Sequence, residues 1–273
     1  MKVLLQKSTG FMQDELSAWA RSFVATEHDV LFFDIDKKPI FDAFYEINPD
    51  LFIVNRNNID RKIFDISKKY NKCKILVIED KEYQKDFIKN NNIYLLSYLN
   101  KDMYPCFDPY VFKVENPKNV FLSEVNYISS EYNKEYLLFV NNFDMKIFGK
   151  GDWPTPKYVG DIKEQDKKYV IASCQYALCG SSYKDFKWFI ECFSCNKICY
   201  SYKNDYIKNL NFNDFYFDDI KNFQPNPQNV LETRKEILHK YSSHNQVYNI
   251  LNKIELESEA KKCLNVAQKL YLN

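Results

Sequence analysis

The feature that most constrains the fold is an alternation across the first hundred residues, in which short apolar runs take turns with amphipathic segments. "KVLLQK" reads as a strand, and Gly10 follows it in a turn. Residues 13–27 then carry Leu16, Trp19, Ala20, Phe23 and Val24 at helical spacing. "HDVLFFDID", "PDLFIVN", "CKILVIED" and "IYLLSYL" read as further strands, and "PIFDAFYEIN", "IDRKIFDISKKYN" and "KEYQKDFIKNN" as the helices between them. Strand runs of 5–7 apolar residues are the pattern of a parallel sheet buried on both faces. Right-handed crossovers then make this half a Rossmann-like layered domain.

Residues 101–118 hold three prolines and little periodicity, and read as a linker. After it the alternation resumes. "NVFLSEV", "MKIFG", "YALCGSS" and "KICYSY" are strands, "KYVGDI" is a turn, and "NKEYLLFVNNF", "EQDKKYVIASC" and "YKDFKWFIECFSC" are helices. Residues 228–240 and 244–272 read as C-terminal helices. The expected fold class is α/β, with two Rossmann-like domains facing a cleft. The expected domains are 1–112, 117–250, and a helix at 251–273 that packs back toward the first.

Composition fixes the class more than the partner. Hydrophobic residues make up 45% of the 273, enough for large cores. No apolar run approaches the ~20 residues of a membrane helix, and the first residues read as a strand and not as a leader, so the expected location is the cytoplasm. Net charge is +1, and only Arg21, Arg56, Arg61 and Arg234 are arginines, which gives no sign of base-specific DNA readout. The glycine fingerprints of dinucleotide and P-loop sites are absent.

Two metal motifs deserve weighing. Cys192, Cys195 and Cys199 have plausible ligand spacing, with Cys174 or Cys179 as a fourth. A structural zinc site, however, pairs two short hooks across a loop, and the second hook is missing. Asp34 and Asp36 form a D-x-D after a strand, able in principle to share a divalent cation. An acid there also simply ends the strand. His28, His239 and His244 are scattered among element ends. No metal is expected.

Glu191 stands out because it lies mid-helix among Phe186, Trp188, Phe189, Ile190 and Phe193, where an acid is costly without a partner. Upstream, Gly180, Ser181 and Ser182 fall at the helix N-terminus, where free amides and the macrodipole favour a phosphate. One nucleotide could lie along this helix, diphosphate at its start and ribose at the acid. The plain alternative is a serine cap and a solvated glutamate.

The stretch from "MKIFGKGDWPTPKYVGDI" through "CGSSYKDFKWFIECFSC" resembles the nucleotide-sugar-binding half of GT-B glycosyltransferases, among them the DNA beta-glucosyltransferases of T-even phages and the CgeB-like enzymes of spore coats. Gly149, Gly151, Gly160 and Glu191 fall in register with that family's pattern. The likeness covers roughly residues 120–205, and the first half matches by architecture only. It implies transfer of a sugar from a nucleotide-diphosphate donor to an acceptor such as a modified DNA base or a glycan or protein hydroxyl, with no cofactor required. Glu191 would take the ribose. Ser181, Ser182, Lys184, Lys187 and Lys134 would hold the diphosphate, and Gly10 would lie close to the donor. Asp80, with Glu79 as alternate, would be the base at the end of its strand. Two departures are visible: Trp188 stands where the family has a basic residue, and the loop after the domain's first strand lacks arginine. They make an inactive nucleotide- or ligand-binding protein of the same architecture the alternative.

Overall fold

The computed structural model describes residues 1–55, 62–79, 92–112, 123–129, 132–140, 143–219, 223, 225 and 228–271. The chain divides into two compact units, Met1–Tyr104 with Ser242–Asn273, and Pro105–Tyr241. Each carries one all-parallel sheet, so the fold class is α/β with two Rossmann-like domains.

In the first unit, β1 (Lys2–Gln6), α1 (Gly10–Ala25), β2 (Asp29–Phe33), α2 (Ile40–Ile47), β3 (Leu51–Asn55), α3 (Lys62–Lys69), β4 (Lys74–Glu79) and β5 (Ile93–Ser97) give the strand order β2-β1-β3-β4-β5. The central strand β3 is buried at every residue, which explains its unbroken apolar run. One face of the sheet closes over Leu4, Phe52, Val54, Ile75 and Val77, with Phe44 of α2 and Ile63 and Ile66 of α3 packed on it. Phe44 meets Phe52 edge-on at 5.1 Å between centroids. Helix α1 begins three residues before the apolar pattern does, and of its five apolar positions Val24 alone is exposed. The expected helix at 81–91 lies outside the described residues.

The second unit runs through β6 (Ser123–Ser129), α4 (Leu137–Val140), β7 (Met145–Gly149), β8 (Tyr158–Gly160), α5 (Lys167–Ala172), β9 (Cys174–Cys179), α6 (Asp185–Ser194), β10 (Cys199–Tyr202), α7 (Asp205–Lys208), β11 (Tyr216–Phe217) and α8 (Val230–Lys240). Its sheet order is β11-β10-β9-β6-β7-β8, so the chain reverses its direction of travel between β6 and β9. The described strand runs four residues later than "NVFLSEV" suggests. The polar Asn126 sits inside it because its amide donates to the Val170 carbonyl at 2.7 Å and to Ser173 Oγ at 3.0 Å, while Ser123 Oγ donates to its oxygen. Tyr158–Gly160 forms a short edge strand on β7, not the expected turn.

The domain boundaries also differ from the expected ones. Residues 105–112 pack in the second unit, because Phe107 and Phe112 are buried anchors within a proline-bearing stretch. Phe107 N–H donates to the Tyr241 carbonyl at 3.0 Å, and the Phe112 carbonyl accepts from Ser194 Oγ at 3.4 Å. The chain returns to the first unit at Ser242, ahead of the expected residue 250, with α9 (Ser243–Lys253) and α10 (Glu257–Tyr271). The single long helix expected at 244–272 is broken between these two by Glu255, whose φ of 63° is left-handed. Among the described residues no helix is long and apolar enough to cross a membrane.

His244 gives this unit a pH dependence. It lies fully buried in the first turn of α9, and burial pulls its pKa down to about 4. The unfolded chain therefore binds this proton more readily than the folded one. Stability is complete above the unfolded value of about 6.5 and falls as pH drops from there toward 4, by roughly 3 kcal/mol in all. Urea unfolding across that range should show the loss, and His244→Gln should flatten it.

Candidate functional site

In an open parallel sheet, ligands bind beyond the carboxyl ends of the strands where the chain reverses direction. In the second unit that point lies between Ser129, the last residue of β6, and Cys179, the last of β9. The turn from Gly180 to Lys184 leads directly into α6, so the helix starts at that edge.

This turn is held from both sides. The Gly180 amide donates to the Ile128 carbonyl at 3.2 Å, while buried Asn204 donates from Nδ2 to the carbonyls of Gly180 at 2.8 Å and Ser182 at 3.1 Å. Asn204 also caps α7 by accepting from Ile207 N–H. Ser182 and Asp185 form a reciprocal pair. Oδ2 of Asp185 accepts from the Ser182 amide at 3.0 Å and from its hydroxyl at 2.8 Å, and the Asp185 amide donates to Ser182 Oγ at 3.2 Å. The carboxylate thus sits at the positive end of the helix, where a ligand phosphate was expected. Gly180 makes room for it: a Cβ there would lie 2.4 Å from Asp185 Oδ2 and 2.6 Å from Ser129 Oγ.

Aromatic rings build the other wall. Tyr127 and Tyr136 pack with centroids 4.6 Å apart and planes tilted by 33°, and Tyr136 donates its hydroxyl to the Tyr202 carbonyl at 2.8 Å. Trp153, from the loop after β7, meets Tyr127 at 5.4 Å and Tyr132 at 4.9 Å. Burial, with Tyr136 and the Asp185 carboxylate nearby, holds the Tyr127 phenol well above its ordinary pKa, so it stays protonated.

Of the expected residues, Ser181, Ser182 and Lys184 do meet in this turn, with Lys184 Nζ 5.8 Å above the Tyr183 ring. Gly149 closes on the same edge, its Cα hydrogen facing the Ser129 carbonyl. Lys134 is exposed on the short helical turn Lys134–Tyr136. Gly160 ends β8 in open space. Lys187 and Glu191 instead find each other: Nζ and Oε1 are 3.8 Å apart and both side chains are buried. Glu191 lies six residues along α6 from Asp185, about 9 Å at 1.5 Å per residue. Its carboxylate has no surface open to a ribose in this arrangement.

Gly10 and Glu79 belong to the first unit. Gly10 opens α1 with a φ of 58°, and Glu79 is the buried last residue of β4, opposite Ser97. Asp80 lies outside the described residues. Asp34 accepts from the Asp36 amide and is flanked by Lys7 at 3.9 Å and Lys37 at 3.8 Å, the pattern of a capped strand end. All eight cysteines are buried thiols, and burial pushes Cys174 up to about 12 and holds Cys199 well above its ordinary value. Among the described residues no three His, Cys, Asp or Glu side chains converge to hold a metal.

Asp185, Asn204, Tyr127, Tyr136 and Trp153 were not singled out in the sequence. The Ser182-x-x-Asp185 spacing ahead of an apolar run was the one available signal, since it is a helix-start pattern.

No protein-family model matches the chain, and no curated protein does. Among solved structures it is similar to Anabaena Alr3699/HepE in complex with UDP and glucose, at 10% identity over 99% of this chain and 95% of that one, TM-score 0.48. It is similar to the UDP-GlcNAc 2-epimerase of Methanocaldococcus jannaschii at 10% identity over 93% and 99%, TM-score 0.47. It is also similar to the spinosyn rhamnosyltransferase SpnG complexed with thymidine diphosphate, at 7% identity over 98% and 96%, TM-score 0.45. At that level the similarity carries no statement about chemistry.

Proposed function

We propose that the chain is a glycosyltransferase that moves a sugar from a nucleotide-diphosphate donor to an acceptor hydroxyl, with the donor seated on the second unit. The observation that carries this reading is the coincidence, at the carboxyl edge between β6 and β9, of the reversal in strand order with the amino end of α6. The donor's diphosphate takes the place of the Asp185 carboxylate on the Ser182 amide and hydroxyl. Ser181 adds a hydroxyl, and Lys184 and Lys134 supply positive charge. Departure of the diphosphate is then assisted by fixed dipoles and lysines without calling on a metal. Acceptor selection is assigned to the first unit. Asp80, outside the described residues, with Glu79 as the alternate, is the candidate base for removing the acceptor proton in an inverting transfer. The acceptor classes to test are a modified base in DNA and a glycan or protein hydroxyl.

One observation favours a second reading, a binding protein that performs no transfer. Asp185 already satisfies the amide and hydroxyl of Ser182, so a diphosphate must displace a like charge to bind.

A thermal-shift series with UDP, GDP, ADP and TDP and their sugars tests the proposal. A ligand at 100 times its dissociation constant adds ~2.7 kcal/mol of stability. The expected result is a rise with at least one nucleoside diphosphate, followed by slow hydrolysis of the matching sugar nucleotide. Binding without hydrolysis selects the second reading. No shift with any of them removes both.

A further inference from the structure

The aromatic wall contains one buried donor that no protein atom takes up. Trp153 Nε1 is enclosed and makes no hydrogen bond, while the Tyr127 hydroxyl beside it has Ser129 and Tyr136 as neighbours. Their residues are 5% and 1% exposed, and the rings touch at 5.4 Å. A buried donor left unpaired costs stability, so the indole N–H at this sheet edge calls for an explanation.

The loop carrying Trp153 is pressed into place. Gly149 and Gly151 have left-handed φ values of 119° and 107°, and a Cβ on either would meet Ser129 O at 1.9 Å or Tyr132 Cβ at 2.9 Å. This close approach of the loop after β7 to the end of β6 carries the indole down beside Tyr127. The phenol in turn packs against the tilted Tyr136 ring and lies beside Asp185. The unpaired indole N–H therefore belongs to the same sheet edge as the amino end of α6, and Tyr132, half exposed, packs against the Trp153 ring.

An indole N–H can only donate. We infer that Trp153 reads the base of the donor nucleotide, accepting one that presents a carbonyl (uracil, thymine or guanine) over one that presents an amino group in its place (cytosine or adenine). This rests on the donor reading proposed above. A carbonyl oxygen takes the hydrogen bond that the indole offers, whereas an amino group turns donor against donor and leaves the indole unpaired. The Tyr127 hydroxyl, which can donate or accept, does not discriminate between the two.

Calorimetric titration with two matched pairs, UDP against CDP and GDP against ADP, together with inorganic pyrophosphate, tests it. Each pair exchanges the carbonyl for the amino group at the corresponding ring position. The native protein should bind the carbonyl-bearing member of its preferred pair at least about tenfold more tightly. Trp153→Phe should bring the ratio down to about threefold or less, with pyrophosphate binding unchanged, whereas Tyr127→Phe, which removes a hydroxyl able to donate or accept, should leave the ratio in place. Equal affinity within both pairs, or a ratio that Trp153→Phe leaves unaltered, overturns the inference while pyrophosphate and nucleotide binding keep the donor reading alive. Failure of every diphosphate to bind removes the donor reading itself.

Discussion

Gly149→Ala is expected to destabilise the second unit by about 4 kcal/mol or more, enough to lower its unfolding temperature by on the order of 10 °C. Two costs combine. The residue has a φ of 119°, a conformation an L side chain rarely adopts, and its added Cβ would lie 1.9 Å from the Ser129 carbonyl. Because that obstacle is backbone in a buried parallel strand, no rotamer change relieves it. The loop must lift or β6 must shift against β7, and a packed sheet resists both. Gly160→Ala is the matched control. Its φ of 126° carries similar conformational strain, but no atom lies within 4 Å of the added Cβ. It should lose only about 1–2 kcal/mol. Calorimetric melts of the two variants beside the native chain separate steric from conformational cost. Near-equal losses would mean that the loop after β7 yields easily, which would also weaken the case for a fixed Trp153.

The same glycine shows which parts of the molecule were legible in the sequence. Strand runs such as "LFIVN" and "MKIFG" announce themselves because a strand buried on both faces has no room for polar residues, and the structure places strands there at Leu51–Asn55 and Met145–Gly149. The resemblance implies a place for Gly149 and Gly151 in the donor half, but the physical reason for glycine there is not in the sequence. It lies in contacts with Ser129 and Tyr132, some twenty residues away in sequence. β6 ends four residues beyond the expected strand for the same kind of reason: Asn126 is accommodated inside it because Val170 and Ser173 lie beside its amide. The boundary near residue 104 was hidden because prolines mark a break in periodicity, whereas the anchoring of Phe107 and Phe112 depends on Tyr241 and Ser194. At the candidate site, helix-end electrostatics points to the serines of the 180–182 turn, and the structure puts the Asp185 carboxylate on that end, as the spacing Ser182-x-x-Asp185 allows.

Glu191→Leu is expected to cost about 3–5 kcal/mol, the penalty for leaving the Lys187 ammonium buried without its counter-charge. The two groups lie 3.8 Å apart, four residues apart on α6, with exposures of 0% and 3%. Removing the carboxylate takes away the counter-charge 3.8 Å from a buried ammonium, and the loss of that compensation is what the measurement reads. Replacing both partners, Glu191→Leu with Lys187→Met, removes the charges together and keeps apolar volume, so stability should return to within about 1 kcal/mol of the native value. A double-mutant cycle in urea gives the coupling directly. The cycle also weighs the ribose role expected for Glu191 against its place in the packing. A carboxylate retained only to neutralise Lys187 predicts that the double variant binds UDP, or whichever nucleoside diphosphate the screen selects, as tightly as the native chain. A carboxylate that leaves Lys187 to take both ribose hydroxyls predicts a folded double variant with nucleotide affinity reduced more than about tenfold and pyrophosphate affinity unchanged, because two charge-assisted hydrogen bonds are lost. Loss of pyrophosphate binding as well would assign the pair to shaping the amino end of α6 and to no direct contact with the sugar.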